Sequence, residues 1–267
     1  MAWCAEVNTR PVRLPSGAAW ERVSFEEIEG LPTICFSPES SCERVVIYLH
    51  GGAHLMQPTV YQMRFCAGLS RAMSARVMTP LFPLLPRYRC TDALSRLLPF
   101  CRSVLSNAGP PVSMLGDSSG GGLCAAVCEA LDASLQPERL VLLSPWVDAT
   151  MKNPAIEALE PADPVLAKPG LAMIGREWAG GLSPDDARVS PINGDLSRLR
   201  KVTLFAGERE ILRPDIVRFH QRLKHAGCDA ELFIGAGEYH VYPLFTPALE
   251  NESFRRVCRA LAPDEAV

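Results

Sequence analysis

The segment GDSSGGG, residues 116–122, places a serine where it could act as a nucleophile. It follows the apolar run PVSML and precedes LCAAVCEAL, which has the composition of a helix. A G-x-S-x-G turn between a strand and a helix raises the central hydroxyl, here that of Ser118, clear of the sheet. The segment has no lysine and does not match the P-loop pattern, which disfavours a phosphate-binding loop. An ordinary Gly/Ser turn remains the alternative unless the chain also supplies catalytic partners.

A second segment, YLHGGAHLM at residues 48–56, could stabilise the negative charge that nucleophilic attack produces. It follows the apolar run VVIYL, so its His-Gly-Gly turn would lie at the same sheet edge as Ser118. Backbone N–H groups there can bind the oxyanion of an acyl-transfer intermediate, and the N–H of Ser119 would complete the hole. His50 lies within this loop and is expected to orient it by a hydrogen bond rather than act as the base.

A serine hydrolase of this type also needs an acid and then a histidine further along the chain. GEREILRPD, residues 207–215, and GAGEYHVYPLF, residues 235–245, each follow an apolar run. The second segment makes His240 the candidate base. Its candidate acid partner is Glu210, with Glu208 and Asp215 as alternatives; Asp215 also suits the first turn of a helix. His220 and His225 fall on that amphipathic helix and are expected at its surface.

The surrounding pattern predicts an α/β fold with a mostly parallel sheet and helices on both faces, because apolar runs alternate with helical segments. The predicted strands cover residues 45–49, 75–80, 112–115, 140–144, 202–206 and 230–234, and RVSFEEI and PTICF predict an antiparallel hairpin at one sheet edge. Helices are predicted over 91–105, capped by Thr91 or Asp92 and bent or split at Pro99, and over 213–227. In the latter, Pro214 suits the first turn and Gly227 the end.

The length of 267 residues suits a single domain, residues 1–267. Two segments break the alternation, approximately 1–40 and 149–198, and we expect them to form a small helical lid over the strand ends. The second is rich in Pro, Ala, Asp and Gly and predicts helical fragments without a strand.

Composition excludes several function classes. The formal net charge of −3 gives no electrostatic basis for binding nucleic acid or an anionic membrane. The N-terminal residues lack an apolar signal-peptide core and no apolar run could span a bilayer, so we expect a cytoplasmic protein with reduced thiols and no stable membrane association. The ten cysteines are irregularly spaced. Cys124 and Cys128 are expected to be small buried side chains rather than metal ligands, and no metal or organic cofactor is expected.

The motifs HGGA, GDSSGG, LSPWVD, GEREILRPD and EYHVYPLF, in this order, resemble the hormone-sensitive-lipase-like branch of the α/β-hydrolase fold. The resemblance covers roughly residues 44–246. It implies a carboxylesterase or acetyl esterase with Ser118 as nucleophile, His240 as base and Glu210 as acid. It also implies an oxyanion hole made by the N–H groups of Gly51, Gly52 and Ser119, and a homodimer is compatible with it.

The chain departs from the family pattern in three places. Ala53 replaces a third glycine, which predicts a slightly shifted oxyanion loop. The acid is Glu rather than the usual Asp, and FPLLPR, residues 82–87, lacks both charges of the corresponding family segment.

The expected substrate is a small-molecule ester with a short acyl group. The candidate lining residues of its pocket are His54, Leu55, Met56, Tyr61, Trp146, Tyr239, Val241 and Tyr242. Two alternatives remain open: hydrolysis of amides, lactones or carbamates by the same triad, and a non-catalytic small-ligand receptor, in which the triad would be broken.

Overall fold

The computed structural model describes residues 22–39 and 41–262, together with Glu6, Asn8 and Val12. Its centre is an eight-stranded sheet made of β1 (Val23–Ile28), β2 (Leu31–Phe36), β3 (Arg44–Leu49), β4 (Ala75–Pro80), β5 (Val112–Asp117), β6 (Leu140–Leu143), β7 (Lys201–Gly207) and β8 (Asp229–Gly235). The order of the strands in the sheet is β1-β2-β4-β3-β5-β6-β7-β8. Each of the six apolar runs predicted as a strand is confirmed.

Pairing is antiparallel between β1 and β2 and between β2 and β4. The remaining neighbours, in the sheet order β4-β3-β5-β6-β7-β8, all pair in parallel. The predicted hairpin at a sheet edge is therefore confirmed. It also corrects the expectation for approximately 1–40, because Val23–Phe36 extends the sheet instead of covering it. Most of the residues before 22 lie outside the described part of the chain.

Helices cover both faces of the sheet. They are α1 (Val60–Ala72), α2 (Cys90–Asn107), α3 (Ser118–Ala130), α4 (Ile156–Leu159), α5 (Lys168–Ala179), α6 (Arg213–His225) and α7 (Glu252–Leu261). Alternate residues of β3 divide between the two cores: Val45, Ile47 and Leu49 pack in the core with α2, α3 and α6, whereas Val46 and Tyr48 pack in the core with α1 and α7. Burial on both faces explains why the central strands are continuously apolar.

The two clearest helix predictions have different outcomes. Helix α6 contains Pro214 in its first turn and is followed by Gly227 at φ 82°, as its sequence predicts. Helix α2 runs through Pro99 without a break, so Pro99 does not split it, and a bend at Pro99 stays a prediction. Pro99 removes a hydrogen bond to the carbonyl of Ser95, but both residues are exposed, so solvent can reach that carbonyl.

The predicted cap of α2 is wrong, because Arg89 is the N-cap residue. The carboxylate of Asp92, three residues further on, accepts a hydrogen bond from the Arg89 N–H at 2.8 Å. Asp92 therefore contributes to the start of the helix from inside its first turn rather than from the position before it.

Residues 149–198, all described, contain α4, α5 and short 3-10 helices but no strand, as predicted. The segment contacts the loops at the strand ends: Asp163 accepts a hydrogen bond from the Ile211 N–H at 2.8 Å, and the Ile192 N–H donates to the Val147 carbonyl at 3.2 Å. That it acts as a lid stays a prediction.

Nine of the ten cysteines lie in the described residues and all nine are free thiols. Cys124 and Cys128 are buried, as predicted; their thiols contact the Leu115 carbonyl at 3.4 Å and the Met114 sulfur at 3.7 Å. Within the described part of the chain no group of three or more His, Cys, Asp or Glu side chains could hold a metal ion.

Candidate active site

Ser118 lies at a tight turn between the end of β5 and the start of α3. Its backbone has φ 53°, a left-handed conformation that is strained for serine. The flanking glycines permit the turn: a Cβ at Gly120 would lie 2.1 Å from the Leu49 carbonyl oxygen, and one at Gly116 would lie 2.6 Å from the Gly120 carbonyl oxygen. The predicted strand–turn–helix context of the motif is therefore present, with Ser118 as the first residue of α3.

The three residues predicted as a triad form one hydrogen-bonded chain. The His240 Nε2 lies 2.9 Å from the Ser118 Oγ, and its Nδ1 lies 2.6 Å from the Glu210 Oε2. Glu210 is fully buried and His240 is 4% exposed. The other carboxylate oxygen of Glu210 accepts the Gly207 N–H at 3.0 Å, which anchors the acid to the end of β7.

The alternative acids lie elsewhere. Glu208 is exposed and accepts a hydrogen bond from the Gly237 N–H at 2.7 Å. Asp215 is buried in the first turn of α6, where the Asn153 amide donates to it at 2.8 Å. His225 is exposed, as predicted, whereas His220 is half-buried and contacts the Ala230 carbonyl.

Asp117, immediately before Ser118, links the turn to the HGGAH segment, residues 50–54, which we call the oxyanion loop. Its carboxylate accepts hydrogen bonds from the Tyr48 hydroxyl, from the Gly51 N–H at 2.8 Å and from the Gln62 amide at 3.0 Å. Burial raises the pKa of Asp117, and these hydrogen bonds oppose the rise. The buried carboxylate of Asp117 thus connects β3, the oxyanion loop and α1 to the turn that carries Ser118.

This contact corrects the prediction for Gly51. Its N–H is directed to Asp117, so it does not serve as a donor to a substrate oxyanion. No hydrogen bond within the described residues uses the N–H of Gly52 or Ala53, the next two residues of the loop. Ala53 and the following His54 both have left-handed backbones, with φ 54° and 56°. The N–H groups after Gly51 in this loop that have no partner among the described residues are therefore those of Gly52 and Ala53, one residue beyond the predicted pair.

A family model described by its alpha/beta hydrolase fold matches residues 46–244. The chain belongs to this family. It is 25% identical over 261 residues to an esterase of Acinetobacter venetianus, a match that covers 96% of this chain and 80% of that protein. It is 26% identical over 210 residues to an acetyl-hydrolase of Streptomyces hygroscopicus, covering 77% of this chain and 70% of that protein.

A solved esterase structure from the bacterial hormone-sensitive lipase family has a TM-score of 0.80 and 25% identity to this chain, covering 97% of this chain and 86% of that one. The resemblance to the hormone-sensitive-lipase-like branch is thus confirmed, and so is an ester hydrolase as the class of enzyme. None of the helices in the described residues is both long enough and apolar enough to cross a membrane.

In this α/β hydrolase the two histidines of the oxyanion loop are structural neighbours of the site. The His50 Nδ1 contacts the Gly51 carbonyl at 2.8 Å, which agrees with its predicted orienting role, and its ring stacks on Phe82. Burial lowers the pKa of His50 to about 4 and that of His54 to about 3. Both imidazoles are therefore neutral at pH 7.

His54 lies in an aromatic stack instead of an open pocket. Its ring is parallel to that of Trp178 from α5, with centroids 3.9 Å apart, and its other neighbour Trp146 is at 5.9 Å. The backbone N–H of His54 donates a hydrogen bond to the Ser119 hydroxyl at 3.2 Å. The stack therefore joins the 149–198 segment to the oxyanion loop and to the residue after the nucleophile.

The other predicted pocket residues divide by exposure. Trp146 and Val241 are buried, at 4% and 9% exposure, and pack in the two cores; that they line the pocket stays a prediction. Leu55, Tyr239 and Tyr242 are half-buried, whereas Met56 and Tyr61 are exposed.

Sequence reasoning missed three supporting residues. Asp117 was visible as a charged residue at the end of an apolar run, and this was a usable signal. Ser144 has φ 47° and its hydroxyl accepts the Val241 N–H at 2.9 Å, which anchors the His240 loop. Trp178 lies in a segment with no recognisable motif, so its contact with His54 had no signal in the sequence.

Proposed function

We propose that this α/β hydrolase cleaves small carboxylic esters with short acyl groups through an acyl-enzyme on Ser118. The observation that carries the proposal is the continuous hydrogen-bonded chain from the Ser118 Oγ through the His240 imidazole to the Glu210 carboxylate, at 2.9 Å and 2.6 Å. The similarity to an acetyl-hydrolase supports a small acyl group.

In the first half-reaction His240 takes the Ser118 proton at Nε2 as the oxygen attacks the ester carbonyl carbon. Glu210 accepts the hydrogen bond from Nδ1, which holds the imidazole in the required tautomer and stabilises its protonated form. The C–O bond to the alcohol then breaks, and His240 returns the proton to the leaving oxygen. A water molecule repeats the sequence on the acyl-enzyme and releases the acid.

The tetrahedral intermediate carries a negative oxygen that needs fixed donors. We assign this role to the N–H groups of Gly52, Ala53 and Ser119, since the Gly51 N–H is bonded to Asp117. Each such donor is typically worth roughly 10²–10³-fold in rate. Ser119 suits the role further because it follows the nucleophile at the start of α3, where backbone N–H groups lack partners within the helix.

The test compares two adjacent serines. Ser118→Ala should lower kcat for p-nitrophenyl acetate by roughly 10⁴-fold or more, because it removes the nucleophile. Ser119→Ala keeps its backbone N–H and loses only the hydroxyl that accepts from His54, so its loss should stay below about tenfold. Equal activity of wild type and Ser118→Ala would refute the proposed mechanism.

Substrate range is measured with p-nitrophenyl esters of increasing acyl length and with p-nitroacetanilide as the matching amide. We expect kcat/KM to be highest for acetate or butyrate and much lower for the anilide. A maximum at long acyl chains would contradict the short-acyl assignment, and faster anilide cleavage would favour the amidase alternative.

A further inference from the structure

The Ser-Pro-Trp segment directly after β6, residues 144–146, is hydrogen-bonded both to the nucleophile turn and to the loop of the base. The Trp146 N–H donates to the Ser118 carbonyl at 2.9 Å. The hydroxyl of Ser144, which is fully buried, accepts the N–H of Val241 at 2.9 Å. Because Val241 directly follows the base, this short segment connects the backbone of the nucleophile to the backbone beside the imidazole. We call it the bridging segment.

The backbone is strained at both ends of the contact between Ser144 and Val241. Both residues have left-handed conformations, with φ 47° and 52°. A positive φ is uncommon for any residue with a side chain, and for a β-branched residue such as valine it is an outlier. At Ser144 the following Pro145 adds a restriction, since a residue before proline prefers an extended backbone. Strain of this kind persists only where the surrounding contacts maintain it.

The bridging segment is fixed to the sheet and to α3. The Ser144 N–H donates to the Phe205 carbonyl of β7 at 2.7 Å. A Cβ at Gly122 would lie 2.1 Å from the Trp146 carbonyl oxygen, so α3 approaches the segment backbone to backbone. Ser118 is the first residue of the same helix. The Ser144 hydroxyl therefore has a fixed position relative to the nucleophile.

The loop of the base, residues 239–242, depends on that hydroxyl. Among the backbone N–H groups of this loop, only that of Val241 has a hydrogen-bond partner within the described part of the chain, and the partner is the Ser144 hydroxyl. The His240 side chain is held separately, by the Glu210 carboxylate at its Nδ1. A change in the Val241 backbone would therefore displace the base, and Glu210 alone would have to hold the imidazole in place.

We propose that Ser144 is a positioning residue for the base. Its hydroxyl holds Val241 in the left-handed conformation that places the His240 Nε2 2.9 Å from the Ser118 Oγ. This inference rests on the function proposed above, in which His240 takes the proton of Ser118. A misplacement of about 1 Å can lower a rate by roughly 10²-fold. Substrate binding does not require the base, so the loss should be seen in kcat rather than in KM.

The first test removes only the hydroxyl. Ser144→Ala keeps the Cβ, and with it the steric cost of a positive φ. It should lower kcat for p-nitrophenyl acetate by roughly 10–100-fold and change KM less than about twofold. Ser113→Ala is the matched control, because Ser113 is equally buried but lies near the start of β5, where its hydroxyl donates to the Leu261 carbonyl at 3.5 Å. Its kcat should match that of wild type.

A double-mutant cycle separates positioning from packing. Glycine adopts a positive φ without steric cost, so Val241→Gly should make this conformation independent of the acceptor. In the Val241→Gly background, Ser144→Ala should lower kcat by less than about threefold, and the difference from its effect in wild type is the coupling between the two positions. The same loss in both backgrounds would overturn the proposal, because Ser144 would then act on kcat independently of the Val241 backbone.

A third measurement separates this inference from the proposed function. Diethyl p-nitrophenyl phosphate labels a serine that a neighbouring base activates: the Ser118 Oγ forms a bond to phosphorus, the bond to p-nitrophenolate breaks, and the proton passes to His240. The rate constant for labelling should fall in Ser144→Ala by about the same factor as kcat. Absence of labelling in wild type would refute the proposed mechanism, and the positioning role with it.

Three other outcomes would overturn the positioning role alone. They are equal labelling rates in wild type and Ser144→Ala, a rise in KM with unchanged kcat, and an equal loss of kcat in Ser113→Ala. Thermal melting shows whether each variant is folded at the assay temperature. If Val241→Gly fails to fold, the comparison of Ser144→Ala with Ser113→Ala still decides the outcome.

Discussion

Glu210 illustrates how one carboxylate among several neighbours becomes the partner of the base. Both of its oxygens are used, one by the Gly207 N–H and one by the His240 Nδ1. The extra methylene of Glu relative to the Asp usual in the family is accommodated because the side chain folds back onto the end of its own strand. Glu208 is only two residues away, but its carboxylate points to the exposed Gly237 turn.

The assignment of the acid predicts a large difference between two conservative variants. Glu210→Gln should lower kcat by roughly 10³–10⁴-fold, because an amide cannot stabilise the imidazolium and can favour the wrong tautomer. Glu208→Gln should change kcat less than about threefold, since its contact is exposed. Steady-state kinetics with p-nitrophenyl acetate decide it; a large loss in Glu208→Gln alone would transfer the role of the acid.

Helix α5 illustrates how an element outside the sheet can control the oxyanion loop. Trp178, which is 1% exposed, stacks on His54 with an interplanar angle of 3°. The backbone N–H of His54 in turn donates a hydrogen bond to the Ser119 hydroxyl. We therefore regard Trp178 as a positioning residue for the oxyanion hole, acting through His54.

Loss of the stack should affect turnover more than substrate binding. Trp178→Leu should lower kcat by roughly tenfold with little change in KM, because loop positioning matters most when the charge develops. Trp178→Phe should restore most of the activity by keeping a flat ring against the imidazole. Met173→Ala, at an exposed position of the same helix, is the control. A rise in KM with unchanged kcat, or a Phe variant no better than Leu, would contradict this role.

At the scale of the whole molecule, the half-buried acid Glu129 is a group whose protonation is linked to folding. Glu129 lies near the end of α3, next to Gly194, and burial raises its pKa to about 8, with Asp195 adding to the rise and Arg222 and Arg198 opposing it. Its pKa in the unfolded chain is lower, about 4.3. The folded state therefore binds a proton more tightly than the unfolded state between these values, and the free energy of unfolding falls as the pH rises through this window.

Glu129→Gln should remove this pH dependence. We expect the stability of the variant relative to wild type to increase from pH 5 to pH 8 by on the order of 2–4 kcal/mol, because the amide has no charge to desolvate. Urea unfolding at several pH values measures it. Glu231→Gln, at an exposed position on β8, should show no such trend. Parallel pH profiles for wild type and Glu129→Gln would contradict the linkage.

Local sequence patterns were enough to predict the strands of the sheet and the order of the motifs along the chain. The central strands β3, β5 and β6 are buried along their whole length and are mostly apolar, because both of their faces are covered, and this signal depends on the strand alone. The same was true of the glycines of the G-x-S-x-G turn, whose lack of a side chain is required by neighbouring backbone within the motif and at the end of β3. Ser118, His240 and Glu210 could be named for this reason.

Other features depend on contacts between residues far apart in the chain, and no local pattern carries them. Gly51 was predicted to be an oxyanion donor, but its N–H donates to the carboxylate of Asp117, which lies 66 residues further along the chain. Trp146 was predicted to line the pocket, and in the structure it packs beside His54, whose ring also stacks on Trp178 of α5. Residue type and periodicity reveal which groups can react or be buried. Which N–H stays free and which ring faces solvent follow from packing, since a hydrogen bond or stack between distant segments forms only once the sheet has brought them together.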